Sequence, residues 1–469
     1  MDHSVLKLRI HKGKAILSKV GQLAAELDLK VYAVGGFVRD LYLGKEGTDI
    51  DFVVLGDAIQ FAESFQKKYR SGKVVTYPRF GTAALNYQKY KLEFVSARSE
   101  SYDKDSRKPR VSKADLQSDL SRRDFTINTL LMDLSNKHFG EIIDMYHAKE
   151  DIDNKLIRTP LDPIETFSDD PLRIMRAIRF ATVLEFQIEE KTFQAIRETR
   201  ERLSIISQER ITEEFRKLMQ APKPSLGLIM LLETGLLDII FPELVQLTGV
   251  EQRQDFHHKD VFYHTIQVVD NIAEKSDSFD LRLAALMHDI AKPQTKRFVE
   301  DVGWTFHGHE DLGARMVERI GRRMRLPLST IKYVQKLVRL HLRPMQLVDE
   351  SVTDSAIRRL MVEAGNEIDD LMMLCRADIT SKNPEKVKQY LANFDMVEAK
   401  MKVVEEKDKL RNFQPAINGN IIMQTLNIPA GPQVGKIKKA IVDAILDGKI
   451  PNEEKACLDY MLKIKGELL

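Results

Sequence analysis

The sequence predicts an α+β chain in which a small mixed-sheet head is followed by an all-helical remainder. Strand-like and helix-like runs alternate up to about residue 113, and strand patterns become rare beyond it. After Pro163 nearly every apolar run has helical spacing, with breaks at prolines such as Pro242, Pro293, Pro327 and Pro384. In order, residues 31–34 read as a short buried strand broken by Gly35 and Gly36, and residues 37–43 as a helix. Residues 50–55 form a second strand, 57–69 an amphipathic helix, and 74–76, 82–87 and 90–97 three more strands.

Size and charge bound the rest. At 469 residues and 43% hydrophobic content, the chain has enough core for several domains. Lys+Arg number 72 against 70 Asp+Glu, a net charge of +2, so any nucleic-acid contact comes from local basic patches. Two cysteines, Cys375 and Cys457, make no metal-binding pair in sequence and fit a reducing compartment. Residues 1–4 carry no basic segment leading into an apolar one, so no signal peptide is expected. The longest apolar run, 226–241, is interrupted by Glu233 and Asp238 and is too short to span a bilayer. A cytoplasmic protein with no membrane partner is the expectation, and no protein partner is implied.

Two constellations carry chemistry. In the first, Gly35-Gly36-Phe37-Val38-Arg39-Asp40 turns from strand into helix. Glycines let the backbone approach a ligand, the helix start offers N–H groups, and Arg39 in its first turn could reach the same phosphate. Thr48-Asp49-Ile50-Asp51-Phe52 follows. Residues two apart in a strand face one side, so Asp49 and Asp51 point together while Ile50 and Phe52 point away. Paired carboxylates repel, and a hard divalent cation such as Mg²⁺ relieves that repulsion.

These segments, with Arg122-Arg123-Asp124-Phe125-Thr126-Ile127-Asn128-Thr129 and Asp170-Pro171-Leu172-Arg173-Ile174-Met175-Arg176-Ala177-Ile178-Arg179-Phe180, resemble class II tRNA nucleotidyltransferases (CCA-adding enzymes) and their bacterial poly(A) polymerase relatives. The family usually has Ala where Thr129 stands. The resemblance implies a head with a mixed sheet of five-stranded type at 1–160, a nucleotide-reading and RNA-binding neck at 161–250, a third domain at 251–382 and an RNA-binding tail at 383–469. It implies transfer of C and A from CTP and ATP to the 3′ end of tRNA. Asp49 and Asp51 would be catalytic and hold Mg²⁺, with Glu93 as a third carboxylate. Gly36, Arg39, Arg123, Asp170, Arg173, Arg176 and Arg179 would bind nucleotide, the last two suiting phosphate or helix-support roles.

The base preference has a chemical reason. Cytosine and adenine both present an amino donor beside a ring-nitrogen acceptor, and uracil and guanine the reverse. A carboxylate that accepts and a guanidinium that donates, such as Asp170 and Arg173, therefore select C and A together. The basic stretch 98–111 resembles the family's mobile loop, linked there to switching from C to A, and argues against a CC-only enzyme. A poly(A) polymerase or A-only enzyme is the alternative. Against it, the chain from residue 401 holds 11 Lys+Arg and 9 Asp+Glu rather than a long basic extension. The segment 431–439, with Lys436, Lys438 and Lys439, could meet an RNA backbone or simply cap a packing helix.

The second constellation lies between residues 251 and 341, which hold seven of the eleven histidines. The order His264, His288-Asp289, Asp378 resembles the HD superfamily of metal-dependent phosphohydrolases. His309 and His341 fall where its two-metal members place further ligands, and His257, His258 and His307 are less secure. Six N/O ligands suit one or two transition ions better than a tetrahedral structural zinc. The implied chemistry is metal-assisted hydrolysis of a phosphomonoester or 2′,3′-cyclic phosphate. An HD phosphohydrolase whose head only senses nucleotide or binds RNA is the further alternative.

Overall fold

The structure is a computed structural model describing residues 13–45, 47–101, 110–113, 115–250, 260–300, 302–348, 353–381, 383–408 and 413–468. It divides into two compact units, Met1–Val245 and Gln246–Leu469.

In the first unit, helix α1 (Lys14–Glu26) precedes strand β1 (Lys30–Val34). Helix α2 (Gly36–Tyr42), strand β2 (Asp49–Leu55), helix α3 (Ala58–Tyr69) and strands β3 (Val75–Tyr77), β4 (Thr82–Tyr87) and β5 (Tyr90–Ser96) follow. These five strands are joined by two short ones, Leu131–Asp133 and Ile142–Ile143. The sheet runs β3-β4-β5-β2-β1, then the strand at 131, then the strand at 142. It has seven strands rather than five, because short segments from after residue 113 pair along the free edge of β1. β2 and β5 are parallel and the other pairs in this sheet antiparallel.

The alternation in β2 sorts its faces. Ile50 and Phe52 are buried, and Phe52 stacks on Phe94 of β5 with centroids 4.9 Å apart. Phe61 of α3 closes on Phe94 at 5.3 Å. Burying such rings contributes about 2–3 kcal/mol each, so a one-residue register slip, which would turn the carboxylates inward, is strongly disfavoured. On the opposite face Asp49 and Asp51 reach solvent. Farther along that face, Val53 is buried with Val34, Ala97, Leu131 and Leu120 of the short helix α4 (Leu116–Ser121). Helix α4 thus covers the strand end of a face whose other end is open.

Helices α5 (Ala148–Asp153) and α6 (Pro163–Asp169) lead to α7 (Leu172–Leu184); α8 (Glu190–Thr199) packs against α6 and α9 (Gln208–Met219) against α7. Head and neck, expected as separate segments, fall in one unit because α7 is ion-paired and hydrogen-bonded to residues 122 and 124. The remainder is not entirely helical. A two-residue parallel pair joins Leu156–Ile157 to Gln187–Ile188. In the second unit a hairpin pairs Arg297–Val299 with Gly303–Thr305.

The second unit is built on helices Val261–Ala273, Phe279–Met287, His309–Arg323, Leu328–Leu340 and Ile368–Ala377. Asp260 caps the first, accepting from the Phe262 N–H at 2.8 Å. The tail helices Gly419–Leu426, Pro432–Leu446 and Glu454–Leu468 enclose their own core of Ile417, Ile422, Ile437, Ile441, Cys457 and Met461. Arg359 and Ser355 both donate to Asp447 at the end of one of them, at 2.6 and 2.8 Å, tying the tail to residues 353–364 within one unit. Among the described residues no helix is long and apolar enough to cross a membrane.

Candidate functional site

The open end of the head sheet gathers carboxylates. Asp51 of β2 lies opposite Glu93 of the parallel β5, so Glu93 stands beside the Asp49/Asp51 pair. Water reaches Asp51, yet the protein around it still strips much of its hydration, and Glu93 and Asp49 crowd it. Together these push its carboxyl up to about 6, with Arg123 pulling the other way. Three oxygen donors that repel one another, one of them held back from ionising, fit a hard divalent cation.

Gly35 explains how arginine and carboxylate come together. Its φ is 76°, a conformation that disfavours a side chain, and a Cβ there would lie 3.4 Å from Arg123 Nη1 and 3.6 Å from Asp51 Oδ2. Arg123 is further held by Asp119 at 3.2 Å, and its Nε is buried without a partner. Gly36 opens α2, where a Cβ would meet only the guanidinium of Arg39.

The remaining nucleotide-site candidates separate. Arg173 is buried and donates to the Arg122 carbonyl at 2.6 Å, with a weaker contact to the Thr166 carbonyl. Asp170 sits just before α7, partly exposed, accepting from the Leu172 N–H at 3.2 Å and lying 3.8 Å from Arg210. Arg39, Arg176 and Arg179 are each engaged by other protein side chains, the arrangement of the helix-support role left open for the last two. Arg39 donates to Asn128 at 2.8 Å and to Asp40 at 2.7 and 2.9 Å. Arg176 grips Asp124, whose carboxyl burial would raise but Arg176 and Asn128 hold well below the usual range. Arg179 pairs with Glu214 of α9 at 2.6 Å and stacks on Phe180. A half-buried guanidinium keeps its charge most cheaply beside a carboxylate, which is why α7 spends these two arginines on support.

In the second unit the six ligand candidates converge as two triads, His264/His288/Asp378 and Asp289/His309/His341, with ligand atoms within 4.8 Å of one another in each. The Nδ1 atoms of His288, His309 and His341 each lie 2.7 Å from a backbone carbonyl three residues back, at Ala285, Phe306 and Val338. His264 Nδ1 lies 2.9 Å from Thr380 Oγ1. An Nδ1–H donated to a carbonyl leaves Nε2 as the lone pair, the tautomer a metal needs. The Nε2 atoms point inward: His264 is 2.8 Å from Asp378, His309 3.3 Å from His341 and 3.4 Å from Asp289. His288 Nε2 and Asp289 Oδ2 are buried without a well-directed hydrogen bond. Burial opposes charge on His288, but Asp289 and Asp378 outweigh it and push it up to about 10. Burial and the neighbouring His288 push His341 down to about 3. Buried imidazoles facing buried carboxylates fit divalent ions.

His257 and His258 lie outside the described residues, as do residues 102–109 of the basic stretch, whose flanks Arg98–Ser101 and Arg110–Lys113 pair as a ribbon. His307 is exposed and joins neither triad. Four residues escaped the sequence reading. Asp119, three and four residues before Arg122 and Arg123 on a helical turn, was open to inference from spacing. So was Lys292, three residues after Asp289 and 2.6 Å from it; Thr380 and Glu214 were not, since nothing near them in sequence marks their partners.

A mixed-sheet head bearing a carboxylate cluster, followed by a helical body with an HD-type ligand set, defines a nucleotidyltransferase-HD protein. Residues 31–158 match the family described as poly A polymerase head domain. Residues 185–247 match the probable RNA and SrmB- binding site of polymerase A, and 261–382 the HD domain. The A-adding tRNA nucleotidyltransferase of Deinococcus radiodurans is 30% identical over 73% of this chain and 78% of its own. The CC-adding tRNA nucleotidyltransferase of Thermus thermophilus is 29% identical over 91% and 92%. The Multifunctional CCA protein of Neisseria gonorrhoeae is 32% identical over 67% and 74%. A crystal structure of a tRNA nucleotidyltransferase complexed with a primer tRNA and an incoming ATP analog superimposes with a TM-score of 0.57 at 26% identity, covering 81% of this chain and 99% of that one. A CCA-adding enzyme in its apo form II shares the fold with a TM-score of 0.61 at 24% identity, over 97% and 96%. The chain belongs to the tRNA nucleotidyltransferase and poly(A) polymerase family.

Proposed function

We propose that the protein adds C and A nucleotides, as CCA, to the 3′ end of tRNA from CTP and ATP. The carrying observation is the meeting of Asp49, Asp51 and Glu93 beside Arg123 at a glycine turn. Mg²⁺, when bound there, supplies Lewis acidity for in-line attack of an RNA 3′-hydroxyl on the nucleotide α-phosphate, with pyrophosphate leaving. Asp49, Asp51 and Glu93 hold the ions. Arg123 faces the triphosphate. Asp170 accepts from the base amino group and Arg173 donates to the ring nitrogen, with the plane of Arg173 set by the Arg122 carbonyl. Arg39, Arg176 and Arg179 act as positioning residues. Names among the relatives include CC-adding, A-adding and multifunctional proteins.

In the second unit His264, His288, Asp289, His309, His341 and Asp378 would hold transition ions for hydrolysis of a phosphomonoester or cyclic phosphate. The four-segment division, with an RNA-binding neck and tail, and the cytoplasmic placement belong to the same reading.

The test offers tRNA lacking its 3′ end with each labelled nucleotide alone and in pairs, and reads product lengths. Growth that stops after C, C and A is expected. Extension only of tRNA already ending in CC identifies an A-adding enzyme, and long A tracts a poly(A) polymerase. No incorporation, with phosphate release from other substrates, overturns the reading.

A further inference from the structure

The structure assigns to Asp119 the role of a positioning residue that ties the triphosphate arginine to the base-reading arginine. This rests on the nucleotidyl-transfer reading and deepens it. Asp119 is completely buried on α4, the short helix that covers the closed end of the carboxylate-bearing sheet face. Its two oxygens are divided: Oδ1 accepts from Arg122 Nη2 at 2.5 Å and Oδ2 from Arg123 Nη2 at 3.2 Å. Burial would push the carboxyl up, but Arg123 and Arg122 hold it below its ordinary value.

The two arginines lead to different places. Arg123 places Nη1 against the Gly35 turn beside Asp51. Arg122 offers its carbonyl to Arg173 Nη2 at 2.6 Å. One buried carboxylate therefore holds both the cation that meets the triphosphate and the side chain of the residue whose backbone oxygen orients the donor meeting the base. Leu120 anchors the helix in the small apolar core beneath, so the carboxylate has a fixed place from which to act. A carboxylate is the group this geometry calls for, since a neutral amide satisfies one guanidinium and turns an N–H₂ toward the other.

The test compares Asp119→Asn with the unaltered protein in tRNA extension, reading KM for CTP and ATP and the ratio of correct to UTP or GTP incorporation. Both quantities are independent of the fraction of active protein, so a structural weakening alone leaves them unmoved. Losing a charge-assisted bond to each arginine is expected to raise KM about tenfold and to lower selectivity about tenfold. Because Asp119 acts through Arg123, Asp119→Asn combined with Arg123→Ala should have the same KM as Arg123→Ala alone. Should the Asn variant fail to fold, Arg122→Gln frees only the base-reading branch, and is expected to lower selectivity while leaving the triphosphate KM unchanged. Unchanged KM and selectivity in Asp119→Asn, or unchanged selectivity in Arg122→Gln, overturns the assignment. Failure of the unaltered protein to extend any tRNA overturns the nucleotidyl-transfer reading instead, and the assignment with it.

Discussion

The two ligand clusters of this chain are built on opposite plans. In the head, the donors are carboxylates on adjacent parallel strands, open to solvent and supported by arginine. In the HD region, the donors sit on separate helices and turns, nearly all buried, with three imidazoles fixed by carbonyls three residues back. An exposed cluster of like charges holds an ion weakly until a triphosphate adds its own oxygens, so the ion exchanges with each substrate. A buried, pre-oriented set of imidazoles and carboxylates would hold an ion between turnovers. On the proposed reading, the difference separates a site whose metal would arrive with the nucleotide from one whose metal would reside.

The largest expected effect tests the first half of that contrast. Asp49→Ala or Asp51→Ala should reduce nucleotide incorporation on the order of a thousandfold or more, because no other donor on β2 can replace the lost oxygens. Phosphohydrolysis by the second unit should persist. Single-turnover extension assays alongside a phosphomonoesterase assay read both, and near-normal incorporation in either variant breaks the comparison.

The second half is tested by Asp289→Ala. Asp289 lies within 4.0 Å of all four imidazole Nε2 atoms of the cluster. Removing it should empty the buried site, end phosphohydrolysis and lower the folding stability by the binding energy lost, about 3–4 kcal/mol at metal concentrations a few hundred times Kd, with a corresponding fall in melting temperature. Incorporation should stay within about twofold, because Asp289 belongs to a different compact unit from Asp49, Asp51 and Glu93 and shares no partner with them. Elemental analysis after dialysis into Mg²⁺ buffer without chelator gives the direct readout. A wild-type protein that loses its transition ion in that dialysis defeats the idea of a resident metal.

Much of this contrast could be read from the residues alone, and the reasons are local. Asp49 and Asp51 obey a two-residue period, and Gly35-Gly36 marks a turn whatever the tertiary context, so the strand, turn and paired acids follow directly. The six HD-region candidates are legible in the sequence as an ordered set. Their division into triads was not, because it depends on how five elements meet: Asp289 joins His309 and His341, while its chain neighbour His288 joins His264 and Asp378. The arginines show the same limit. Arg176 and Arg179 keep the three-residue spacing of one helix face, yet their carboxylate partners are Asp124 and Glu214, 52 and 35 residues away. Periodicity reports which side of a helix a residue occupies, and says nothing of whether a distant carboxylate has claimed it.

Acidity sharpens the contrast more gently. With Asp51 raised to about 6, incorporation at limiting Mg²⁺ should fall as pH drops through about 6. More Mg²⁺ should move that midpoint downward, since ion and proton compete for the same oxygens. A profile flat from pH 7 to 5 at limiting Mg²⁺ would remove Asp51 from the metal site.

The smallest effect concerns stability, and its sign is the informative part. A carboxyl whose folded pKa lies above its ordinary 3.8 binds its proton better folded than unfolded, so its contribution favours folding at low pH and is lost as pH rises from 3.8 to about 6. At pH 7, without divalent ions, Asp51 therefore strains the head. Asp51→Asn, which abolishes the ion site, should make the metal-free protein more stable, by less than about 1 kcal/mol once solvent screening at this exposed position is counted. Saturating Mg²⁺ should narrow the gap by stabilising the wild type alone. Denaturant melts at pH 7 with and without Mg²⁺ measure it. Asp289→Ala, in a cluster where buried imidazoles already compensate the carboxylates, should lack that gain in the metal-free state, because it strands a buried His288 cation. Loss of a carboxylate would then stabilise one site and not the other, as expected if the open cluster is strained by unshared charge and the closed one is held together by charges that pair.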